Sequence, residues 1–216
     1  MKRLSMAAIN ETGTAEADPV MRRAPSQKRS RERVEHILAS ASKLIAERGS
    51  DAMRMSEVAD ISGISIGSLY QYFPDKSAIV RTLAERCNAA GRACIADGLA
   101  PVTTPQELRT AFCALIDEYY AMFLAEPVIR DIWSAMQADK ALMAIELAET
   151  RENAALLAEA LRRVRPDLDP EALNAQALLT MHLGESTMRL AISLDETEGR
   201  AVVEAYKRMA CISFSE

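Results

Sequence analysis

The sequence predicts an all-α protein with a small N-terminal head and a larger helical body. Apolar residues recur at intervals of three and four along most of the 216-residue chain. Prolines, glycines and capping residues separate these periodic stretches, as expected for successive helices. One segment, residues 55–74, has the pattern of two short helices joined at a glycine. The three observations together favour a three-helix head containing a helix-turn-helix, followed by a helical bundle.

Charge divides the chain in the same way. The formal net charge of −5 argues against a protein that is basic throughout. Residues 22–81 nevertheless hold 11 Lys/Arg against 7 Asp/Glu, whereas residues 82–216 hold 13 against 21. A basic segment joined to an acidic one suggests a nucleic-acid-binding head on a soluble body. The basic run at 22–33 is either a solubilising tail or an arm that reaches phosphates or the minor groove.

The head begins with a predicted helix over about residues 31–48, which carries one apolar stripe and ends at Gly49. Ser56 is expected to cap the first helix of the helix-turn-helix. Gly63 supplies the left-handed backbone that a sharp turn requires. Ser65 is expected to cap the second helix, which Pro74 ends.

The second helix of this pair has side chains suited to DNA. Gly67 and Ser68 are small enough for the backbone to approach closely, and glutamine at 71 can bond adenine through two hydrogen bonds. Lys76 is placed to contact a phosphate. In such a unit the second helix enters the major groove. The alternative is an ordinary helical hairpin with exposed tyrosines.

Residues 65–76, SIGSLYQYFPDK, resemble the signature of TetR-family transcriptional regulators, roughly Ser-x-Gly-Thr-Leu-Tyr-x-Tyr-Phe-x-x-Lys. Ser68 replaces the usual threonine and keeps the hydroxyl. The resemblance covers about residues 30–81; beyond them only the helical pattern and the length agree. Residues 1–24 have no apolar periodicity and are expected to form a disordered tail. The resemblance implies a DNA-binding domain over 25–75 and an effector-binding and dimerisation domain over 76–216. The expected DNA-contacting residues are Arg54, Ser56, Ser65, Ile66, Gly67, Ser68, Tyr70, Gln71, Tyr72 and Lys76.

The body is predicted to contain six helices. Asp75 caps a long helix that Gly98 and Pro101 stop near Asp97, and a capping box with Thr104 and Glu107 opens the next. The later helices are expected over about 104–125, 129–136, 140–164, 170–193 and 197–212.

The resemblance also implies a ligand site between the middle helices of the body. Aromatic and methionine side chains there are large and adaptable, and suit an apolar cavity. The alternative is plain core, and for His182 with Glu185 a hydrogen-bonded or dimer-interface pair. The candidate pocket residues are Tyr119, Tyr120, Phe123, Trp133, Met136, Met181, His182 and Glu185.

A stripe of small and flexible residues marks the penultimate helix, and it allows another helix to approach closely. It is either core within one chain or, as the family resemblance implies, part of a four-helix bundle between two chains. Its members are Ala177, Met181, Gly184, Met188 and Ala191.

Cysteine and histidine usage gives no metal site. Cys87, Cys94, Cys113 and Cys211 form no C-x-x-C pair, and the chain has only two histidines. Reduced, buried thiols in a cytoplasmic protein are expected. No catalytic or nucleotide-binding motif, cofactor signature, secretion signal or membrane span is evident.

The sequence therefore favours a homodimeric, cytoplasmic repressor that leaves a pseudo-palindromic double-stranded DNA operator when a small, mostly apolar effector binds. One alternative is an effector-independent or activating DNA-binding regulator. A less favoured one is a helical-bundle enzyme or a partner-binding module.

Overall fold

The computed structural model describes residues 24–125, 127–138 and 140–214, and these residues form nine helices and no strand. The predicted all-α class is confirmed. The predicted tail, apart from Ala24, lies outside the described residues. The helices are α1 Ala24–Arg48, α2 Met55–Ile61, α3 Ile66–Tyr72, α4 Lys76–Leu99, α5 Pro105–Ala125, α6 Pro127–Ala138, α7 Lys140–Val164, α8 Pro170–Ser193 and α9 Glu196–Ser213.

The described residues divide into two compact units. The head unit contains residues 24–88, 127–138 and 140–143, and the body unit contains residues 89–125 and 144–214. The predicted boundaries after residues 24 and 75 concern function and stay predictions.

The head unit is built on α1. Its apolar stripe is buried as predicted, and Ile37 and Ile45 are fully buried, as are Val58 of α2 and Leu69 of α3. α1 begins at Ala24, several residues earlier than predicted. The prediction used the apolar stripe, and the preceding turns are polar, so periodicity gave no signal for them.

Two ion pairs tie the helices of the head unit together. Arg48 of α1 pairs with Glu57 of α2, with 2.9 Å between Nη1 and Oε1. The guanidinium of Arg86 in α4 binds both carboxylate oxygens of Glu35 in α1, and the Nη2–Oε1 distance is 2.6 Å. The first contact joins α1 to the helix-turn-helix, and the second joins α1 to α4.

The body unit has a core in which α5, α8 and α9 meet. The Phe112 ring packs edge-on against Phe214, with 5.0 Å between centroids, and also contacts Tyr206. The Tyr206 hydroxyl donates to the Thr180 carbonyl at 2.6 Å. This buried bond fixes α9 against α8.

The small residues of α8 belong to this core. Ala177, Gly184, Met188 and Ala191 are buried within one chain. A Cβ at Gly184 would lie 3.1 Å from the Tyr206 hydroxyl oxygen. For these four residues the intramolecular alternative is therefore the right one.

Local capping follows the sequence at most helix starts. Asp75 accepts from the Ala78 N–H at 2.7 Å, and Thr104 and Glu107 form the predicted capping box. The expected stop at Gly98 is wrong, because α4 continues to Leu99. Gly98 lies where a Cβ would come within 3.0 Å of the Leu115 side chain, so its small size serves packing.

Candidate nucleic-acid interface and effector region

The turn between α2 and α3 has the geometry that the sequence predicts. Gly63 has φ +64°, and its N–H donates to Asp60 at 3.1 Å. The Ser65 hydroxyl accepts from the Ser68 N–H at 3.1 Å, which caps α3. The predicted cap at Ser56 is wrong: Arg54 holds that position without a side-chain bond.

α3 has one buried and one exposed side. Leu69 is fully buried and plugs the helix against the rest of the head unit. Ile66, Gly67, Tyr70 and Gln71 are exposed, and their spacing of one and four residues puts them on one side of the helix. A Cβ at Gly67 would meet nothing within 4 Å, so the outer surface there is open. This face is free to enter a groove.

The other candidate DNA contacts surround this face. Arg54 and Ser56 are exposed, and Ser68 and Tyr72 are half-buried. Lys76 is half-buried, and its Nζ donates to the Asp51 carbonyl at 3.1 Å. Because a lysine ammonium has three donors, this bond leaves two for a phosphate. The exposed basic residues at the start of α1 are Lys28, Arg29, Arg31 and Arg33.

The candidate effector residues fall into both units. The head unit contains Trp133 and, with a side chain outside the described residues, Met136. The remaining six lie on α5 and α8 of the body unit: Tyr119, Tyr120, Phe123, Met181, His182 and Glu185.

On α5, aromatic side chains occupy the interior. Tyr120 and Phe123 are buried, and the Tyr119 ring packs edge-on against Phe123 with 5.0 Å between centroids. The buried Tyr120 hydroxyl has no hydrogen-bond partner among the described residues. An unpaired buried hydroxyl is costly, so this group is available to a ligand or a bound water.

Glu185 is the centre of a polar cluster between α7 and α8. Its side chain is only 13% exposed, and both carboxylate oxygens lie near the Thr150 hydroxyl, at 2.8 and 3.0 Å. Arg189 pairs with Glu146, with 2.7 Å between Nη1 and Oε1. His182 Nδ1 is 3.9 Å from Glu185, but 55% of that imidazole side chain is exposed, so solvent screens the pair.

The Thr150 hydroxyl lies within hydrogen-bond distance of Glu185 on one side and of a backbone carbonyl on the other. Thr150 Oγ1 also lies 3.0 Å from the Glu146 carbonyl, and a hydroxyl has one hydrogen to donate. Thr150 can therefore donate to the Glu185 carboxylate or to the Glu146 carbonyl, but not to both at full strength. Burial raises the pKa of Glu185 to about 7, and the Glu146 charge acts in the same direction. Thr150 and Arg189 oppose that rise.

The Glu185 cluster predicts a pH-dependent stability. The folded-state pKa lies above the unfolded value, so the folded chain binds more protons, and stability falls as pH rises from about 4.5 to 7. Glu185→Gln removes the charge, and we expect it to raise the free energy of unfolding by about 2 kcal/mol at pH 8 and little at pH 5. Urea unfolding at both pH values measures this. The exposed control Glu159→Gln should show no such pH dependence; a similar profile for both variants would contradict the buried-proton model.

The partners of Glu185 were missed in the sequence. Glu146 and Thr150 are four residues apart on α7, and Glu185 and Arg189 are four apart on α8. Polar residues four apart within apolar stretches of α7 and α8 indicate a candidate buried polar cluster. The sequence does not show that the two helices meet at these positions.

Comparison with known families identifies the chain. Residues 37–83 match the family model described as bacterial regulatory proteins, tetR family. Residues 106–215, about half of the chain, match the model of the tetracyclin repressor-like C-terminal domain. The chain belongs to the TetR family. It is therefore a non-enzymatic, DNA-binding transcriptional regulator, and the sequence prediction of that family is confirmed.

Solved structures share the fold of this TetR-family regulator. A TetR-family transcriptional regulator from Streptomyces coelicolor has 22% identity and a TM-score of 0.63, covering 82% of this chain and 95% of its own. The fatty acid degradation regulator FadR from Bacillus halodurans has 16% identity and a TM-score of 0.63, covering 88% and 97%. RolR, solved with resorcinol, has 21% identity and a TM-score of 0.58, covering 88% and 94%. Among proteins of curated function, none has a sequence that matches this chain.

The described ranges contain neither a cluster of metal ligands nor a helix suited to a membrane. No three His, Cys, Asp or Glu side chains come together there as metal ligands. No helix in those ranges combines the length and the apolar character needed to cross a membrane.

Proposed function

We propose that this TetR-family regulator is a cytoplasmic, homodimeric repressor that binds a pseudo-palindromic operator and leaves it when a small ligand binds. The observation that carries the DNA-binding part is the exposed side of α3. Its small and hydrogen-bonding side chains face outward while Leu69 anchors the opposite side. A helix presented in this way fits the major groove.

The residues of this surface have separate roles in the proposal. Gln71 is exposed and can bond adenine through its amide, whereas Gly67 and Ser68 let the backbone come close to the bases. Tyr70 and Lys76 hold phosphates and set the orientation of the helix. Sequence preference should therefore depend on Gln71, and general affinity on Lys76.

Substitutions at Gln71 and Lys76 test these roles. We expect Gln71→Ala to relax base preference at one position per half-site, at a cost of about 1–3 kcal/mol on the cognate operator. Lys76→Ala should weaken all sequences alike and reduce the salt slope by about one unit. Binding to cognate and scrambled duplexes, measured by fluorescence anisotropy over a salt series, separates the two effects. Equal losses on both duplexes for Gln71→Ala would exclude a base-reading role.

The proposed dimer uses the outer faces of α8 and α9. Of eleven exposed large apolar side chains in the described ranges, five lie on these two helices and three on the helix-turn-helix. Concentrated exposed apolar surface marks interaction sites. The five are Leu179, Leu183, Leu190, Met209 and Ile212. A two-fold dimer would present two α3 helices to half-sites separated by about 34–36 Å or a multiple.

A footprint of the operator tests the repressor proposal directly. The DNA upstream of the regulator's own gene is the first probe. We expect two symmetry-related protected patches on the operator DNA. A control DNA in which the half-site sequences are scrambled should show no protection. Full-affinity binding of a single chain to one asymmetric half-site would contradict the proposal. Reporter expression that falls when the regulator is deleted would favour the activating alternative.

The ligand site is proposed within the body unit, which contains both buried aromatic groups and buried polar ones. Tyr120 offers an unpaired buried hydroxyl, and Glu185 with Thr150 offers a carboxyl group next to a hydroxyl. A mostly apolar effector with one or two hydrogen-bonding groups suits this composition. RolR, which is similar in fold only, was solved with resorcinol, a ligand of that kind.

Release of DNA requires the ligand to bind the two states of the regulator unequally. The continuous helix α4 runs along the chain from Lys76, next to α3, to Leu99, so its movement can change the spacing of the two α3 helices. Typical coupling is about 1–3 kcal/mol, and it is reciprocal. Operator DNA should therefore weaken binding of a true effector by the same factor as the effector weakens DNA binding. Equal ligand affinities with and without operator would show that the ligand is no effector.

A further inference from the structure

Two cysteines far apart in the sequence meet between α5 and α9. The Sγ atoms of Cys113 and Cys211 lie 3.3 Å apart, and both thiols are half-buried and outside any disulfide. Cys94 instead lies 3.7 Å from a carboxylate oxygen of Glu118. The contact distinguishes Cys113 and Cys211 from isolated structural thiols. All four cysteines are half-buried, so the expectation of fully buried thiols is corrected.

Neighbouring contacts hold the two thiols in register. Asp117 lies one turn after Cys113 on α5, and Lys207 lies one turn before Cys211 on α9. These two residues form an ion pair with 2.8 Å between Lys207 Nζ and Asp117 Oδ1. These contacts pair residues in opposite order along the two helices, so α5 and α9 run antiparallel. On the other side, the ring of Phe112 packs against Phe214. The thiols are thus fixed opposite each other between a charged contact and an aromatic one.

The geometry points to a covalent modification site: we propose that Cys113 and Cys211 form a reversible intramolecular disulfide when a hydroperoxide oxidises this regulator. A disulfide has an S–S length of about 2.05 Å, so the sulfurs must approach by about 1.2 Å. Rotation of the two short side chains can supply a movement of this size while the helices stay in place. The reducing thiol pool of a cell would reopen the bond.

The chemistry needs only the two thiols and one hydroperoxide. Cys113, as thiolate, attacks one peroxide oxygen: an S–O bond forms, the O–O bond breaks, and the leaving oxygen takes a proton to become water or an alcohol. Cys211 then attacks the sulfenic sulfur of Cys113. The S–S bond forms, the S–O bond breaks, and the hydroxyl leaves with the Cys211 proton as water. Two electrons pass from the sulfurs to the peroxide, which is reduced.

The environment assigns different roles to the two sulfurs. Burial raises the pKa of Cys211 to about 12, and its contact with Cys113 adds to the rise. Cys211 therefore keeps its proton until the second step and serves as the resolving thiol. Because little of Cys211 is ionised at neutral pH, the second step is expected to be slow.

The bond would join α5 to α9 across 98 residues of sequence. Long loops closed by a disulfide restrict the unfolded chain strongly, provided that the folded geometry needs little change. Oxidation should therefore stabilise the body unit, and a rise in Tm of about 5 °C or more is expected for a chain of this length.

The experiment treats the full-length regulator with hydrogen peroxide and follows intact mass, peptide connectivity and Tm. We expect a loss of two hydrogens, one peptide pair linking Cys113 to Cys211, and the higher Tm, all reversed by dithiothreitol. Cys113→Ser and Cys211→Ser should each abolish the link and the Tm rise. The matched control is the double variant Cys87→Ser with Cys94→Ser, which should keep both.

Three results would overturn the proposal. The first is a disulfide that includes Cys87 or Cys94 while Cys113 and Cys211 stay unlinked. The second is conversion of Cys113 to sulfinic acid without any link. The third is a 113–211 link with an unchanged or lower Tm, which would show that the folded geometry does not accept the bond. The mass measurement on the unmodified sequence decides the first two even if a serine variant fails to fold.

Discussion

Replacing Leu179 and Leu183 together by aspartate is expected to separate the proposed dimer and to weaken operator binding by about 100-fold or more. Both leucines are exposed in the single chain, at 59% and 41%, and they lie one turn apart on α8. In a dimer the first bound α3 holds the second α3 close to its half-site, and this high effective concentration raises the overall affinity. A monomer lacks this increase in affinity. Four charges at a two-fold interface also face each other, because each chain brings the same patch.

Sedimentation of the variant at micromolar concentration and anisotropy titration of the operator measure the two effects. The exposed leucine Leu147, on α7 of the same unit, provides the matched control. Leu147→Asp should leave both the dimer and the operator affinity unchanged. The proposed interface is wrong if the double variant still sediments as a dimer, or if it is monomeric and binds the operator as tightly as the unmodified chain.

The helix-turn-helix could be predicted in detail because its signals are local. Gly63 adopts the left-handed backbone conformation of the turn, which glycine reaches without steric cost. The Ser65 hydroxyl accepts a hydrogen bond from the Ser68 N–H three residues later. The misplaced cap at Ser56 shows the limit of this reasoning. A serine next to a helix start can cap it, but which residue leaves the helix first depends on the path of the incoming chain.

The stripe on α8 shows why periodicity alone does not assign an interface. Ala177, Gly184 and Met188 repeat at helical spacing, and that spacing suits packing within a chain as well as between chains. The structure resolves the choice, since these residues are buried in the protomer. The large apolar residues beside them, such as Leu183, stay exposed. Whether a residue of α8 is buried or exposed depends on which side of α8 packs against α9, and the sequence pattern does not show that side.

The packing around the candidate effector residues could be predicted only in part, and their role in binding a ligand stays a prediction. Aromatic residues on α5 were rightly expected to lie inside the body, as Tyr120 and Phe123 do. The cluster around Glu185 depends on Thr150, which is 35 residues away in the sequence. A buried carboxylate of this kind arises from the meeting of two helices, and composition cannot show which polar groups will face each other.

Gly199→Ala is expected to lower the stability of the body unit strongly, although alanine is the better helix former. A Cβ at Gly199 would lie 2.4 Å from the carbonyl oxygen of Ala191 and 2.7 Å from the hydroxyl oxygen of Tyr120. The tyrosine can turn away, but the carbonyl belongs to the α8 backbone and moves only with the helix. Such overpacking costs about 1–3 kcal/mol or more, whereas the gain in helix propensity is about 1 kcal/mol.

The net expectation for Gly199→Ala is a loss of about 2 kcal/mol and a fall in Tm of about 4–8 °C. Gly91 in α4 provides the matched control, because a Cβ there meets nothing within 4 Å. Gly91→Ala should raise the free energy of unfolding by about 0.5–1 kcal/mol through helix propensity alone. Urea unfolding of both variants gives the comparison. Equal stability of Gly199→Ala and Gly91→Ala would show that the α9 backbone at Gly199 does not pack closely against the Ala191 carbonyl of α8.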